Sequence, residues 1–300
     1  LNFAAWDIYV SRGHFDPVKN GLTHDLIRGL KRKNFWVMES QSTHTDWSPV
    51  NNALDRGEVR TMAWHAVGHG ADAVSYWQWR SPLNGVEQYF GVLVGADGTP
   101  NPVCEEITKV GAEFEKAEQA LAGTSPDSEV ALLHAYDSRW AVNLQRLHER
   151  FDPIQALVSY YRPLRAVAQQ MDVVHPMAPL SSYKLVVAPA LNVLSEALAE
   201  HLAAYVEQGG HLVLGPRTGM KDEFNALHTA RQPGPLVPAV GARVEQFYAL
   251  EEGVPLTGVW GQGKAIIWAE QLKVQAQDAE VLLTYGRSNG WLDGQPAAVT

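Results

Sequence analysis

Three times within the first 122 residues, a short apolar run gives way to a helix-length stretch whose apolar residues recur every three or four positions. The first run spans Trp6 to Val10 and is followed by Leu22, Leu26, Ile27 and Leu30 at helical spacing. The second, Phe35 to Met38, stops at the carboxylate of Glu39, and the next helix runs from about Glu58 to Gly68 with Val59, Met62, Ala63, Ala66 and Val67 on one face. "GHGAD" then leads into the strand "AVSYWQW", and a third helix carries Val103, Ile107, Val110, Phe114 and Leu121. Parallel strands need a crossover, most often a helix, so this alternation predicts a parallel sheet built from three β/α units. Phe35 to Met38 contain no polar residue, which predicts a strand buried on both faces.

In a (β/α)8 barrel the chemistry gathers at the C-terminal ends of the strands, where Glu39 and its polar neighbours fall. Three units cannot close such a barrel, so the expectation for residues 1–122 is a partial (β/α)8 TIM barrel, completed by other chain segments or left with two open edges. The polar stretch "AGTSPDSE" supplies a linker at 123–128. A second α/β pattern fills 129–300: strand "VALLHA", helical stretches from Ile154 to Gln170, strands "DVVH" and "YKLVVAP", a helix from Ser195 to Gln208, and strand "HLVLGP". This pattern predicts a flavodoxin-like three-layer α/β domain, with "AIIWAE" and the following segment completing its edge. Both "LNFAAWDIYV" and "LDGQPAAVT" read as the inside of a fold, so the expectation is a chain cut at both ends.

Composition removes several function classes. Every apolar run is interrupted by charge, Gly or Pro within about 20 residues, which argues against a membrane role. A net charge of -9 repels phosphate backbones, and no basic run interleaved with aromatics offsets it, so nucleic acid is not an expected partner. The single cysteine, Cys104, excludes an internal disulfide framework and a Cys-built zinc site. A reducing compartment suits that count, and the expected location is cytoplasmic.

Glu39 is the carboxylate whose position calls for chemistry. Around it Trp6, Trp36, Trp47, Trp77 and Trp79, with Tyr9 and Tyr76, crowd the three β/α units. Aromatics mixed with carboxylates and amides suit a sugar ring, which has an apolar face and a polar rim. Trp36 is assigned to packing. "FWVMESQ", the downstream Trp47, "HGADAVSYWQWR" and "GVEQY", in this order and spacing, resemble the glycoside hydrolase family 42 β-galactosidases, and "WDIYV" resembles that family's Trp-Asp-Asn-Tyr strand. Residues 129–300 resemble the family's trimerisation domain.

The resemblance implies that residues 1–122 are the last three units of the catalytic barrel and that the whole is a retaining hydrolase of terminal β-D-galactosides. Glu39 then stands at the nucleophile's position, Tyr9 hydrogen-bonds beside it, and Trp47, Trp79, Glu87 and Phe90 line the galactose subsite. The family's proton donor lies in an Asn-Glu pair, and no such dipeptide occurs here, which puts the donor outside this chain. The resemblance implies a homotrimer and no cofactor. Alternatives are a catalytically incompetent assembly fragment of such an enzyme, or a glycosidase of another sugar specificity. The chain departs from the pattern twice: Phe90 stands where His is usual, and Ile8 where Asn is usual, both expected to touch the subsite lining.

Other motifs are weaker. His65 and His69 are four apart on a helix, as in a zinc-binding pair, but Ala66 replaces the glutamate of a metalloprotease motif, so no metal is expected. In "GGHLVLGPRTG" the glycines precede the strand, as in a helix C-cap rather than a phosphate loop. An amidotransferase centre lacks its cysteine, and nothing but the fold suggests a flavin.

Overall fold

The computed structural model describes residues 2–300, which form two compact units. The first runs to Ser128 and takes in Gln170–Val173; the second comprises Glu129–Gln169 and Val174–Thr300. Among the described residues no helix is long and apolar enough to cross a membrane.

The first unit contains β1 (Ala4–Ile8), α1 (Pro17–Lys31), β2 (Phe35–Gln41), α2 (Glu58–Gly68), β3 (Ala71–Trp77) and α3 (Pro102–Leu121). The strands pair in parallel in the order β1-β2-β3. Asp16 starts α1 by accepting from the N–H groups of Val18 and Lys19 at 3.0 and 3.2 Å, with Pro17 at the first helical position, where its missing donor costs nothing. The helices pack on one face of the sheet. Ile8, Phe35, Val37, Met62 and Ala66 are buried together there, each large side chain contributing roughly 1.5–3 kcal/mol of burial.

The other face differs from the expectation. Trp36 and Met38 are 38% and 44% exposed, so β2 alternates instead of being buried on both sides. Helices cover only the face carrying Phe35 and Val37, and Trp36 meets a single aromatic neighbour, Phe3, at 4.6 Å between ring centroids. Ile8, expected at the subsite lining, is 2% exposed and belongs to the helix-packed core.

The chain goes on through β4 (Val130–Leu133), α4 (Tyr136–Leu144), α5 (Pro153–Val167), β5 (Asp172–Val174), β6 (Leu185–Ala188), α6 (Glu196–Glu207) and β7 (His211–Leu214), all in the second unit except Asp172 and Val173 of β5. The sheet order is β5-β4-β6-β7, with β4–β6 and β6–β7 parallel. Ser195 caps α6 through the Leu198 N–H at 3.2 Å, and Gly209 just beyond it has φ of +90°, a conformation that suits glycine. Val186, Ala188, Leu194, Leu198 and Leu202 form the core between sheet and helix.

The remaining chain adds α7 (Val237–Val240) and strands β8 (Ala242–Ala249), β9 (Val254–Gly258), β10 (Gly261–Ala265), β11 (Trp268–Val274), β12 (Val281–Tyr285) and β13 (Pro296–Val299). The "AIIWAE" segment does not complete the parallel sheet. Its strand, β11, pairs antiparallel with β8, and a second antiparallel sheet runs β10-β9-β12-β13. Short loops favour this outcome: Gly258 pairs with Gly261 across a two-residue turn, a connection available only to antiparallel neighbours.

Candidate active site

Glu39 owes its orientation to a surplus residue. Trp6 pairs with Val37 and the next residue, Asp7, with Glu39; on the other side Val37 pairs with Val74 and Ser40 with Tyr76. β2 thus carries one more residue than either neighbour around Met38. Strict alternation from Val37 would turn Glu39 towards the helices, and the bulge resets that alternation.

Tyr9, just past β1, donates its hydroxyl hydrogen bond to Glu39 Oε2 at 2.6 Å. Burial, that hydrogen bond and the charges of Glu39, Asp7 and Glu87 all push the Tyr9 phenol upward, so it remains a donor. Trp47 and Phe90 meet the Tyr9 ring edge to face, with centroids 5.8 and 5.9 Å away. Trp47 is 57% exposed, whereas Phe90 is 4% exposed and serves as the buried support of Tyr9.

The loops that carry these residues are tied together. Ser42 Oγ donates to the Gly91 carbonyl at 2.8 Å, the Gly91 N–H donates to the His44 carbonyl at 3.0 Å, and His44 Nε2 lies 2.9 Å from the Tyr89 carbonyl. A Cβ on Gly91 would lie 2.0 Å from Thr43 Oγ1 and 2.6 Å from the His44 nitrogen, so only glycine permits this approach. Gln41, fully buried, accepts from the Val10 N–H and donates to the Thr43 carbonyl at 3.1 Å, joining the ends of β1 and β2.

Of the residues singled out from the sequence, Tyr9, Glu39, Trp47 and Phe90 come together, and Glu87, half-buried, bears electrostatically on Tyr9. Trp79, 66% exposed beyond β3, shares no ring contact with them among the described residues. Trp6 is absorbed into the core edge against His24. Tyr76 is mostly buried, and burial followed by the charge of Glu106 on α3 raises its phenol; that carboxylate accepts from the N–H groups of Gly57 and Arg60 at the start of α2. Sequence reasoning missed Asp7, Gln41, Ser42 and Gly91. A run of three polar residues, Glu39 to Gln41, closing an otherwise apolar strand was the available signal.

His65 and His69 pack against each other and against His24 with tilted rings, centroids 4.4 to 5.6 Å apart, and Asp25 accepts from His69 Nδ1 at 2.7 Å. A surface group of His14, Asp55 and Glu58 has ligand-type atoms within 4.8 Å of one another. Glu58 there already accepts from the N–H groups of Phe15 and Asp55. A cavity of about 660 Å³ opens at the N-terminal end of the strands among Asn34, Ala71, Phe114 and Pro126, away from Glu39.

The model of the β-galactosidase trimerisation domain matches residues 128–300, and that of the β-galactosidase domain of the same family matches residues 1–117. The chain belongs to glycoside hydrolase family 42. Among curated members, the β-galactosidase of Halorubrum lacusprofundi is 38% identical over 95% of this chain and 42% of its own length. That of Geobacillus sp. is 29% identical over 99% and 44%. The chain therefore spans about two fifths of the length of the curated relatives it matches. Among solved family structures, the H. lacusprofundi enzyme superposes with a TM-score of 0.90 at 36% identity, covering 97% of this chain and 45% of that one. A β-galactosidase from Bacillus circulans sp. alkalophilus gives 0.92 at 26% identity, covering 98% and 44%.

Proposed function

We propose that this chain supplies the nucleophile and part of the galactose subsite of a retaining β-galactosidase, with residues up to Leu121 forming the last three units of its barrel. The observation that carries the reading is the Tyr9–Glu39 hydrogen bond at the C-terminal ends of adjacent parallel strands, flanked by an exposed tryptophan. Membership of the family, whose relatives are named β-galactosidases, supports it.

In the first step Glu39 Oε1, left open while Oε2 accepts from Tyr9, donates an electron pair to the anomeric carbon. The bond from that carbon to the aglycone oxygen breaks as the oxygen takes a proton from a second carboxyl. In the second step water adds to the same carbon, loses its proton to that carboxyl, and releases Glu39. Retaining chemistry sets the two carboxyl groups about 5 Å apart. The proton donor in this reading is a carboxyl outside these 300 residues. Tyr9 stabilises the carboxylate as it leaves, Trp47 stacks on the sugar, and Glu87 and Trp79 complete the subsite. Specificity for the galacto configuration is part of the proposal. No step calls for a metal or cofactor.

Homotrimeric assembly through 129–300, read as a flavodoxin-like domain with antiparallel additions, belongs to the same reading. On α4 the exposed Tyr136, Trp140 and Leu144 fall at i, i+4 and i+8, an apolar stripe suited to a second copy. The decisive experiment is trapping. In the full-length enzyme containing this chain, a 2-deoxy-2-fluoro-β-galactosyl fluoride should leave a covalent adduct on the peptide containing Glu39. An adduct on any other residue would overturn the assignment.

A further inference from the structure

The second unit carries a cleft of about 690 Å³ that the chemistry at Glu39 does not use. Its floor is the β8/β11 ladder, where Gln246 lies directly across from Gln271 and Tyr248 follows two residues on along the same face. Glu245 is a surplus residue in that ladder, since Gln246 pairs with Gln271 and Val244 with Leu272. One wall is the loop between β12 and β13, which holds Trp291 at 73% exposure.

That loop is firmly built. Asn289 Oδ1 accepts from the N–H groups of Trp291 and Leu292 at 3.1 and 3.0 Å, and Asp293 Oδ1 accepts from those of Ser288 and Gly290 at 2.7 and 3.3 Å. Leu292 is fully buried beside Tyr285, and the Gln295 carbonyl accepts from the Tyr285 N–H at 2.9 Å. An indole held out on a backbone this well bonded is a fixed platform.

Of the amides around it, Gln246 Oε1 accepts from the Phe247 N–H at 3.0 Å, and the other two are loosely committed. Tyr248 Oη lies 3.4 Å from Gln271 Oε1, and Gln271 Nε2 lies 3.3 Å from Gln295 Oε1, both long for a hydrogen bond. Charge is balanced, because the cleft's one carboxylate, Glu245, is held by Arg243 at 2.6 Å and its one ammonium is Lys273. A phosphorylated ligand or a nucleic acid would call for a positive excess. An apolar peptide would leave the amides unpaired. A flat aromatic face bordered by amides matches a neutral polyhydroxyl ring, whose C–H face stacks on the indole while its hydroxyls engage the glutamines.

We infer that this cleft is a second carbohydrate-binding site, taking a neutral oligosaccharide with Trp291 as its stacking platform and Gln246, Gln271 and Gln295 as its hydrogen-bonding rim. The inference stands on the lining of the cleft and is independent of the reaction proposed for Glu39.

Calorimetric titration of the 300-residue chain with β-1,4-galactotriose, and in parallel with β-1,4-xylotriose, tests it. A Trp47→Ala background removes the aromatic surface beside Tyr9. Binding of at least one trisaccharide should persist there and weaken about tenfold or more on adding Trp291→Ala, and again with Gln271→Leu, circular dichroism showing each variant folded. Absence of binding in the Trp47→Ala chain would overturn the site, as would binding that Trp291→Ala leaves unchanged. So would light scattering in which Trp291→Ala lowers the assembled mass without altering saccharide affinity, since the cleft would then be a contact between copies.

Discussion

Tyr9 and Glu39 lie 30 residues apart in sequence and 2.6 Å apart in space, joined by a hydrogen bond between the ends of β1 and β2. A hydrogen bond to a charged acceptor is worth about 1.5–3 kcal/mol. In the full-length enzyme, Tyr9→Phe should therefore lower kcat on an aryl β-galactoside by about 10- to 100-fold. The raised phenol keeps its proton well above neutrality, so the alkaline limb of the pH–rate profile should keep its position in the variant. An unchanged kcat would detach Tyr9 from the mechanism.

Glu39→Ala should abolish turnover, because no covalent intermediate can form. Azide should partly restore it by attacking the anomeric carbon from the vacated side, giving the α-galactosyl azide. Recovery of the β-anomer, or wild-type rates without azide, would remove Glu39 as nucleophile.

In the proposed reading, Phe90 acts on sugar selectivity through its contact with Tyr9. Replacing this buried ring by an imidazole, Phe90→His, should raise the preference for β-galactosides over β-fucosides, which lack the C6 hydroxyl. The ratio of kcat/KM values for the two substrates reads this directly, and a constant ratio would mean that position 90 has no part in selectivity.

His24 should make the fold acid-sensitive. It is fully buried, neither ring nitrogen has a hydrogen-bond partner among the described residues, and burial followed by the charges of His69, His65 and Arg28 lowers it to about 2. Asp25, the neighbouring carboxylate, is engaged with Arg28 and His69. The folded state thus binds fewer protons than the unfolded chain, whose histidine titrates near 6.5. The stability held above about pH 6.5 should fall on acidification, by up to about 1.4 kcal/mol per pH unit from this residue. Chemical denaturation of the chain at pH 7.5 and pH 5 measures it, and His24→Phe should flatten the dependence.

Gly91→Ala should force Thr43 and His44 away from the 87–91 loop. Overpacking of this kind costs about 1–3 kcal/mol, and the disturbed Trp47 should raise KM more than it lowers kcat. Thermal melts with steady-state kinetics would expose the opposite split, which would mean that this loop closure orients Glu39 rather than the sugar.

The order of strands and helices was legible because periodicity survives burial: Val59, Met62, Ala63 and Ala66 announce α2, and all four are buried on it. The pairing of Tyr9 with Glu39 was legible through family motifs. Facing was not. An unbroken apolar run such as Phe35 to Met38 has no parity, so nothing in it marks which residues meet the helices or that the ladder carries a surplus residue. Ile8 misled for a related reason, since a motif position records neighbours in sequence and not the side of the sheet. Beyond Val240 no helix-length stretch separates one strand from the next, and an apolar segment such as "AIIWAE" reads equally as the edge of a parallel sheet or one arm of an antiparallel ribbon.

The surplus residue near Met38 makes the face that Glu39 presents a matter of counting. Deletion of one residue between Trp36 and Met38 would leave a regular ladder in which Glu39 still pairs with Asp7 and keeps its face, whereas on the strand as it stands Val37 and Glu39 lie two residues apart and face opposite sides. The face that Glu39 presents follows its pairing with Asp7 and not its distance from Val37. Single-codon deletions between 36 and 38 should therefore still yield active clones, and a graft of the Tyr9–Glu39 pair onto a regular strand must move the glutamate one position towards the strand's N-terminus to work.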